Sequence, residues 1–368
     1  MPSVQRFTAL DVFRGMTVCF MIIVNTPGNE ATTYAPLLHA QWHGFTPTDL
    51  VFPSFMFAVG NAMSFTMKKW ERQSNNTVVF KILKRTIIIF LIGYLMYWFP
   101  FVHRNGEGQL VFNPIGYTRV MGVLQRIALA YGIAALMIRF LKLSSVIRIS
   151  VVLILLYWLI LLMFGIGDDP YDMLMNAGSR IDRFFLGENH LYHGEGVAFD
   201  PEGLLSTLPS IANVTFGFAA GKWIQQKSDS YEGLAKLLLA GASLILLALI
   251  WNWIFPINKK LWTGSFVFLT VGIDCILIAA LIYVIDFLQI KRWTYFFEVF
   301  GKNPLFIYLL SELGVTLLWF FDVYQWLYQT IFQPAGNYFG SFLFAVSIML
   351  ACWIMGYLLD RNKVYVRV

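Results

Sequence analysis

Ten stretches of this 368-residue chain read as nearly unbroken apolar sequence of about twenty residues each, near 10–27, 49–67, 82–101, 121–140, 147–166, 203–224, 234–255, 262–285, 303–320 and 340–359. A run of that length is what a helix needs to cross a hydrocarbon core about 30 Å thick. Lipid offers no hydrogen-bond partners to the backbone, so such runs must pair their own N–H and C=O groups as helices. With 58% hydrophobic residues, 13% charged residues and a mean hydropathy of +0.64, a water-soluble globule would expose much of its apolar surface. The expected fold class is all-α: a polytopic integral membrane protein of about ten transmembrane helices. No Gly-, Ser- or Pro-rich linker and no fixed-period repeat interrupts it, so a single transmembrane domain over residues 1–368 is expected.

Cationic residues orient the bundle, because short loops rich in Lys and Arg stay on the cytoplasmic side. Lys68, Lys69, Arg72, Lys81, Lys84 and Arg85 mark one such region, and Arg139, Lys142, Arg148, Lys222, Lys227, Lys236, Lys291 and Arg292 continue the alternation. Both termini are therefore expected in the cytoplasm. The segment 167–202 carries Asp168, Asp169, Asp172, Asp182, Glu188, Glu195, Asp200 and Glu202 against Arg180 and Arg183, and reads as an extracytoplasmic loop within the domain. The net charge of +6 follows from this topology and gives no reason to expect nucleic acid as a partner. Cys19, Cys275 and Cys352 fall inside the apolar runs, which argues against disulfides and against a cysteine-built metal site; no metal is expected. The first run has the length of a retained span rather than of a cleaved signal. Trp98, Trp223, Trp251, Trp253, Trp262, Trp319 and Trp326 lie near run ends, where aromatic rings anchor at the membrane interface.

Ionisable side chains are costly within a span and mark places to look for function. Asp11 and Arg14, three apart, share one helix face near the cytoplasmic entrance and suit an intrahelical ion pair. Gln125 and Arg126 open the fourth helix in the outer half of the membrane, where the guanidinium could pair an acid or hold a ligand's anionic group. Asn25 ends the first helix on the extracytoplasmic side, and His39 and His43 follow in a polar loop. In "TPTD", Thr46 suits an N-cap, Pro47 the first turn, and Asp49 a capping box. A histidine near neutral pH is the usual general base for an amine or hydroxyl, although a loop histidine can equally be structural. Acids and aromatics interleave in "IDRFFLGENHLYHGEGVAFDPEGLLSTLPS", which suits a cationic sugar or an ordered, soluble lid; His190, Asp200 and Glu202 lie there. Glu312 and Asp274 sit in late spans, open to an interhelical hydrogen bond or a substrate contact.

The blocks "ALDVFRGMTVCFMIIVN", "LLHAQWHGFTPTDLVFPSFMFAVG", "GVLQRIALAYG", "IDRFFLGENHLY", "AFDPEGLLSTLPSI", "INKKLWTGSFV" and "GKNPLFIYLLSE" resemble, in this order, those of the heparan-α-glucosaminide N-acetyltransferases and their bacterial relatives. The resemblance runs from about Arg6 to about Leu359. It implies a transmembrane acyltransferase in a bacterial plasma membrane. Acetyl would move from cytosolic acetyl-CoA, a co-substrate, to the amine of a glucosamine or terminal glucosaminide on the far side. It also implies His39 as the active-site histidine, Asn25 beside it, Arg126 near the CoA pocket, and a homodimer in contact with membrane lipid. Two departures stand out: Ser311 occupies a position where the lysosomal members carry histidine, and His43 one where they carry asparagine.

On this reading His39 takes a proton from the attacking amine, Asn25 donates to the oxyanion, and Asp49 orients the imidazole or merely caps its helix. Arg126, Gln125, Arg14 and Asp11 are the candidate contacts to acetyl-CoA. Asp200, Glu202, His190 and Glu312 are those to the amino sugar. Direct transfer and a route through an acetyl-histidine use the same groups. Three other readings stand: O-acetylation of a cell-envelope glycan, transport of amino sugars, or a purely structural membrane subunit.

Overall fold

The computed structural model describes residues 7–228 and 230–366, and nearly all of its regular structure is helix. The helices are α1 (Thr8–Asn25), α2 (Val51–Trp70), α3 (Asn75–Trp98), α4 (Val123–Phe140), α5 (Leu143–Phe164), α6 (Ala177–Leu186), α7 (Thr207–Lys227), α8 (Tyr231–Trp251), α9 (Gly264–Ile282), α10 (Thr294–Lys302), α11 (Pro304–Phe320), α12 (Val323–Leu327) and α13 (Asn337–Arg361). One short antiparallel hairpin, β1 (Val102–Arg104) with β2 (Leu110–Phe112), links α3 to α4, pairing His103 with Val111.

Every one of the ten apolar runs is helical, as expected of a polytopic membrane protein. Seven helices are long and apolar enough to cross a membrane, or eight when α10 and α11, bent by 82° at Asn303–Pro304, are taken as one broken span. The runs that fall short are α3 and α7, for different reasons. The first turns of α3 carry Lys81, Lys84 and Arg85, with the Arg85 guanidinium 4.8 Å from the ring of Tyr131. Helix α7 buries its polar residues: Ser210, Asn213 and Thr215 are fully enclosed, and Thr215 Oγ1 lies 2.7 Å from Ser150 Oγ. A helix surrounded by protein needs no hydrophobic perimeter, so its composition understates its place in a membrane fold.

The described residues cluster into two compact units. One is built from the chain through His39, Thr46–Ala58 and the segment from Asp274 onward; the other from Ala40–Phe45 and Val59–Ile273. In the first unit α1 packs on α10, α11 and α13 around Val18, Cys19, Ile22, Ile23, Phe300, Ile307, Met349 and Cys352. A Cβ on Gly15 would sit 1.8 Å from Phe297 O, so the bare Cα is what lets α1 reach the α10 backbone. Arg14 spans the same contact, donating to Asp11 Oδ1 at 2.8 Å and to Gly301 O at 2.8 Å. In the second unit α7 packs against α4, α5 and α8. Beside it Tyr157, Leu161, Tyr171, Phe255 and Leu261 form an aromatic core in which Tyr157 Oη donates to Leu261 O at 2.5 Å. All three cysteines are buried and free, as their place in the runs implied.

Candidate active site

The 3₁₀ turn Pro47–Leu50 opens α2, and its third residue, Asp49, is completely buried. Both carboxylate oxygens are used. Oδ2 accepts the Thr46 N–H at 2.9 Å, the capping contact that the TPTD pattern predicts. Oδ1 lies 2.7 Å from His39 Nδ1. Asp49 thus makes both contacts, the cap to Thr46 and the bond to His39. Two further bonds fix the loop to the helix start, with the Thr46 hydroxyl donating to Leu38 O at 2.7 Å and Thr48 Oγ1 to Pro36 O at 3.0 Å. As a carboxylate Asp49 can only accept, so Nδ1 of His39 carries the proton in this bond. The His39 side chain is 41% exposed, whereas that of Asp49 is 1% exposed. Also in the first unit, Asn25 Nδ2 donates to Glu312 Oε1 at 3.3 Å, which joins a residue expected to be catalytic to one expected to bind substrate. Asp274, completely buried, takes the Ser54 hydroxyl at 2.5 Å, an interhelical hydrogen bond, one of the two alternatives open to it from the sequence.

The second unit holds the charged loop, organised by a residue that sequence reasoning passed over. Arg119 grips Asp200 with two parallel bonds, Nε to Oδ2 at 2.9 Å and Nη2 to Oδ1 at 2.6 Å, and reaches Glu202 Oε2 at 2.5 Å. Its guanidinium lies 5.0 Å from the ring of Tyr97 and 4.7 Å from that of Tyr192. Asp200 and Glu202 are therefore buried partners of one arginine. Burial would raise the Glu202 carboxyl, but Arg119, Arg126 and Lys259 together hold it below its ordinary value. Asp182 is also buried, and desolvation lifts it to about 7, although the Leu204 N–H donated to its Oδ1 at 2.8 Å and Arg126 pull the other way. His190 Nδ1 bonds to Thr118 O at 2.7 Å and anchors its loop.

Arg126 is completely buried within α4. Its Nη2 donates to Ser206 Oγ and, at 3.3 Å, to Gly203 O, and its guanidinium stacks 4.8 Å from the Trp262 ring. Trp262, expected as an interfacial anchor, is instead entirely enclosed, with Nε1 donating to Asn213 Oδ1 at 3.0 Å. Arg126 Nε and Nη1 and both amide atoms of the neighbouring Gln125 are buried with no protein partner. Buried polar atoms left unpaired are costly, and among the described residues four of them fall on these two neighbours, with others on Asn61, Arg85, Tyr131 and Asp274. Asp11 and Arg14, by contrast, satisfy each other as the ion pair their spacing predicts.

Comparison with known proteins adds to this geometry. Residues 6–237 match the family model described as "Heparan-alpha-glucosaminide N-acetyltransferase, catalytic". The chain belongs to that family. Two relatives carry the name heparan-alpha-glucosaminide N-acetyltransferase. The one from Mus musculus is 29% identical, covering 84% of this chain and 54% of the relative; the one from Homo sapiens is 28% identical, covering 83% and 53%. The chain spans about half the length of the curated relatives it matches. The match to the heparan-alpha-glucosaminide N-acetyltransferase catalytic region takes in Asn25, His39, Asp49, Arg126, Asp200 and Glu202; Glu312 lies beyond it.

Proposed function

We propose that this protein is a transmembrane N-acetyltransferase that moves acetyl from acetyl-CoA on the cytosolic side to the amine of glucosamine or a terminal glucosaminide on the opposite side. The observation that carries the reading is the His39–Asp49 pair on a chain of this family: a buried carboxylate lies 2.7 Å from Nδ1 of a partly exposed histidine. An amine attacks a thioester only as the neutral base. His39 removes the proton from the attacking nitrogen as the C–N bond forms and the thioester carbonyl opens to an oxyanion; collapse of that intermediate breaks the C–S bond, and the imidazolium returns the proton to the departing CoA thiolate. Asp49 holds the ring in the required tautomer and stabilises the imidazolium. The Asn25 amide has two N–H bonds, one of them directed at Glu312, and the second is the donor for the oxyanion of the tetrahedral intermediate.

In the second unit Arg126 and Gln125 are assigned to the donor. Arg126 Nε and Nη1 and the Gln125 amide supply buried donors and an acceptor that match the amide and carbonyl groups of an acyl-CoA arm. Asp200 and Glu202, engaged by Arg119, shape this region through the loop they anchor, and His190 does so through Thr118. Arg14 and Asp11 brace α1 against the α10 end.

The test is transfer of labelled acetyl from acetyl-CoA to glucosamine by purified protein in detergent, run beside His39→Ala. Labelled N-acetylglucosamine from the wild type and a loss of at least about a hundredfold in a folded variant are expected. A wild type inert toward every amino sugar would overturn the assignment, and an undiminished variant would remove His39 from the chemistry.

A further inference from the structure

Within the first unit, α11 carries an acid that no cation answers. Asn25 lies one turn beyond the buried Ile22 on α1, and Glu312 one turn beyond the buried Tyr308 on α11, so the two side chains meet at one end of the packed seam between these helices. Asn25 Nδ2 donates to Glu312 Oε1 at 3.3 Å. Among the described residues no Lys, Arg or His stands within ion-pair distance of that carboxylate, and its Oε2 has no partner. Other helix-borne acids of the unit are matched: Asp11 with Arg14 and Asp360 with Lys302, each at 2.8 Å. Asp274 has the Ser54 hydroxyl instead, but it is completely buried, whereas Glu312 keeps part of its surface accessible.

The pair is held from both helices. Thr26 Oγ1 donates to Ile22 O at 2.8 Å, Gly28 N–H to Ser341 O at 3.2 Å and Tyr324 Oη to Pro27 O at 2.7 Å, which fixes the chain just past Asn25. On α11, Thr316 Oγ1 donates to Glu312 O at 2.8 Å. A carboxylate within a span is costly without a counter-charge, and its natural complement is a cation brought by a ligand. The chemistry of acyl transfer names that cation. In the tetrahedral intermediate the attacking nitrogen and the oxyanion are bonded to one carbon, so the group that receives the nitrogen stands beside the donor to the oxygen. Asn25 is that donor in the reading above, and Glu312 is the side chain it touches.

We infer that Glu312 Oε2 receives the ammonium of the amino sugar and so selects amines over neutral acceptors, as a binding group that leaves proton transfer to His39. The inference rests on the acetyltransferase reading above for the identity of the cation. Its test is calorimetric titration of glucosamine, N-acetylglucosamine and glucose, without acetyl-CoA, into wild type, Glu312→Gln and Glu312→Asp. The wild type binds glucosamine about ten- to hundredfold more tightly than the two neutral sugars, the range for a hydrogen bond to a charged group. Glu312→Gln, whose carbonyl still accepts from Asn25, loses that preference by weakening glucosamine alone. In the transfer assay the same change raises the KM for glucosamine and leaves that for acetyl-CoA where it was. Glu312→Asp, with its charge on a shorter arm, retains part of the preference. A folded Glu312→Gln protein that still prefers glucosamine, or a wild type that transfers acetyl without preferring the amine, overturns this inference alone. A Glu312-dependent preference in a wild type that transfers no acetyl sustains the cation site and overturns the function.

Discussion

At the scale of single residues, the account turns on one carboxylate that serves two groups. Asp49 closes the first turn of α2 through Thr46 and holds His39 through Nδ1. Replacing it with alanine removes both contacts, and the two losses are separable. Loss of the cap costs about 1 kcal/mol, visible as a lower thermal midpoint. Loss of ring orientation lowers kcat by on the order of a hundredfold, with the KM for glucosamine little changed. A kcat near wild type in Asp49→Ala would show that the carboxylate only caps. The cap was legible in the sequence, because Thr-Pro-Thr-Asp states its own local geometry. The bond to His39 stood there only as one of two alternatives that followed from the family resemblance, since ten residues of loop separate the two and no propensity dictates how that loop folds back. The unpaired nitrogens of Arg126 were equally hidden: the residue was visible as an oddity in a span, but its stacking on Trp262 joins positions far apart in the chain.

At the scale of elements, the long acidic loop shows how composition misleads. Its acids suited either a surface lid or a cationic ligand, yet Asp200 and Glu202 lie buried against Arg119, which stands just before α4. Removing that arginine strands two buried carboxylates, so Arg119→Ala is expected to lose about 3–5 kcal/mol of stability. Arg119→Lys recovers only part of it, lacking the planar fork that meets Asp200 with two bonds. Urea or thermal unfolding in detergent measures both. Asp182, on α6, gives the loop a pH dependence whose sign is fixed. The folded state keeps the Asp182 proton up to about pH 7, whereas the unfolded chain releases it near pH 4. The folded state therefore binds more protons, and this stabilisation is complete below about pH 4 and lost as the pH rises through about 7. Asp182→Asn, which does not titrate, matches the wild type at low pH and is the more heat-stable protein at pH 8. Thermal midpoints that stay parallel from pH 4 to pH 8 would contradict that assignment.

At the scale of the whole molecule, the apolar runs announced a helical membrane protein, and all ten are helices. Seven or eight of them are long and apolar enough to cross a membrane, and the other two differ for physical reasons: α7 buries its polar residues in protein, and α3 enters with cations. The cation pattern predicts that 167–202 faces away from the cytoplasm. A cysteine introduced at Glu188 should react with an impermeant maleimide from outside intact cells, and one at Lys69 only after permeabilisation; the reverse would invert the topology. The central claim is that one chain joins a donor on one side of the membrane to an amine on the other. Its most direct measurement uses sealed proteoliposomes with glucosamine trapped inside and acetyl-labelled acetyl-CoA added outside. The account predicts labelled N-acetylglucosamine inside the vesicles, and none when both substrates are outside until detergent opens the membrane. Product formed in sealed vesicles only when both substrates share one side would contradict it.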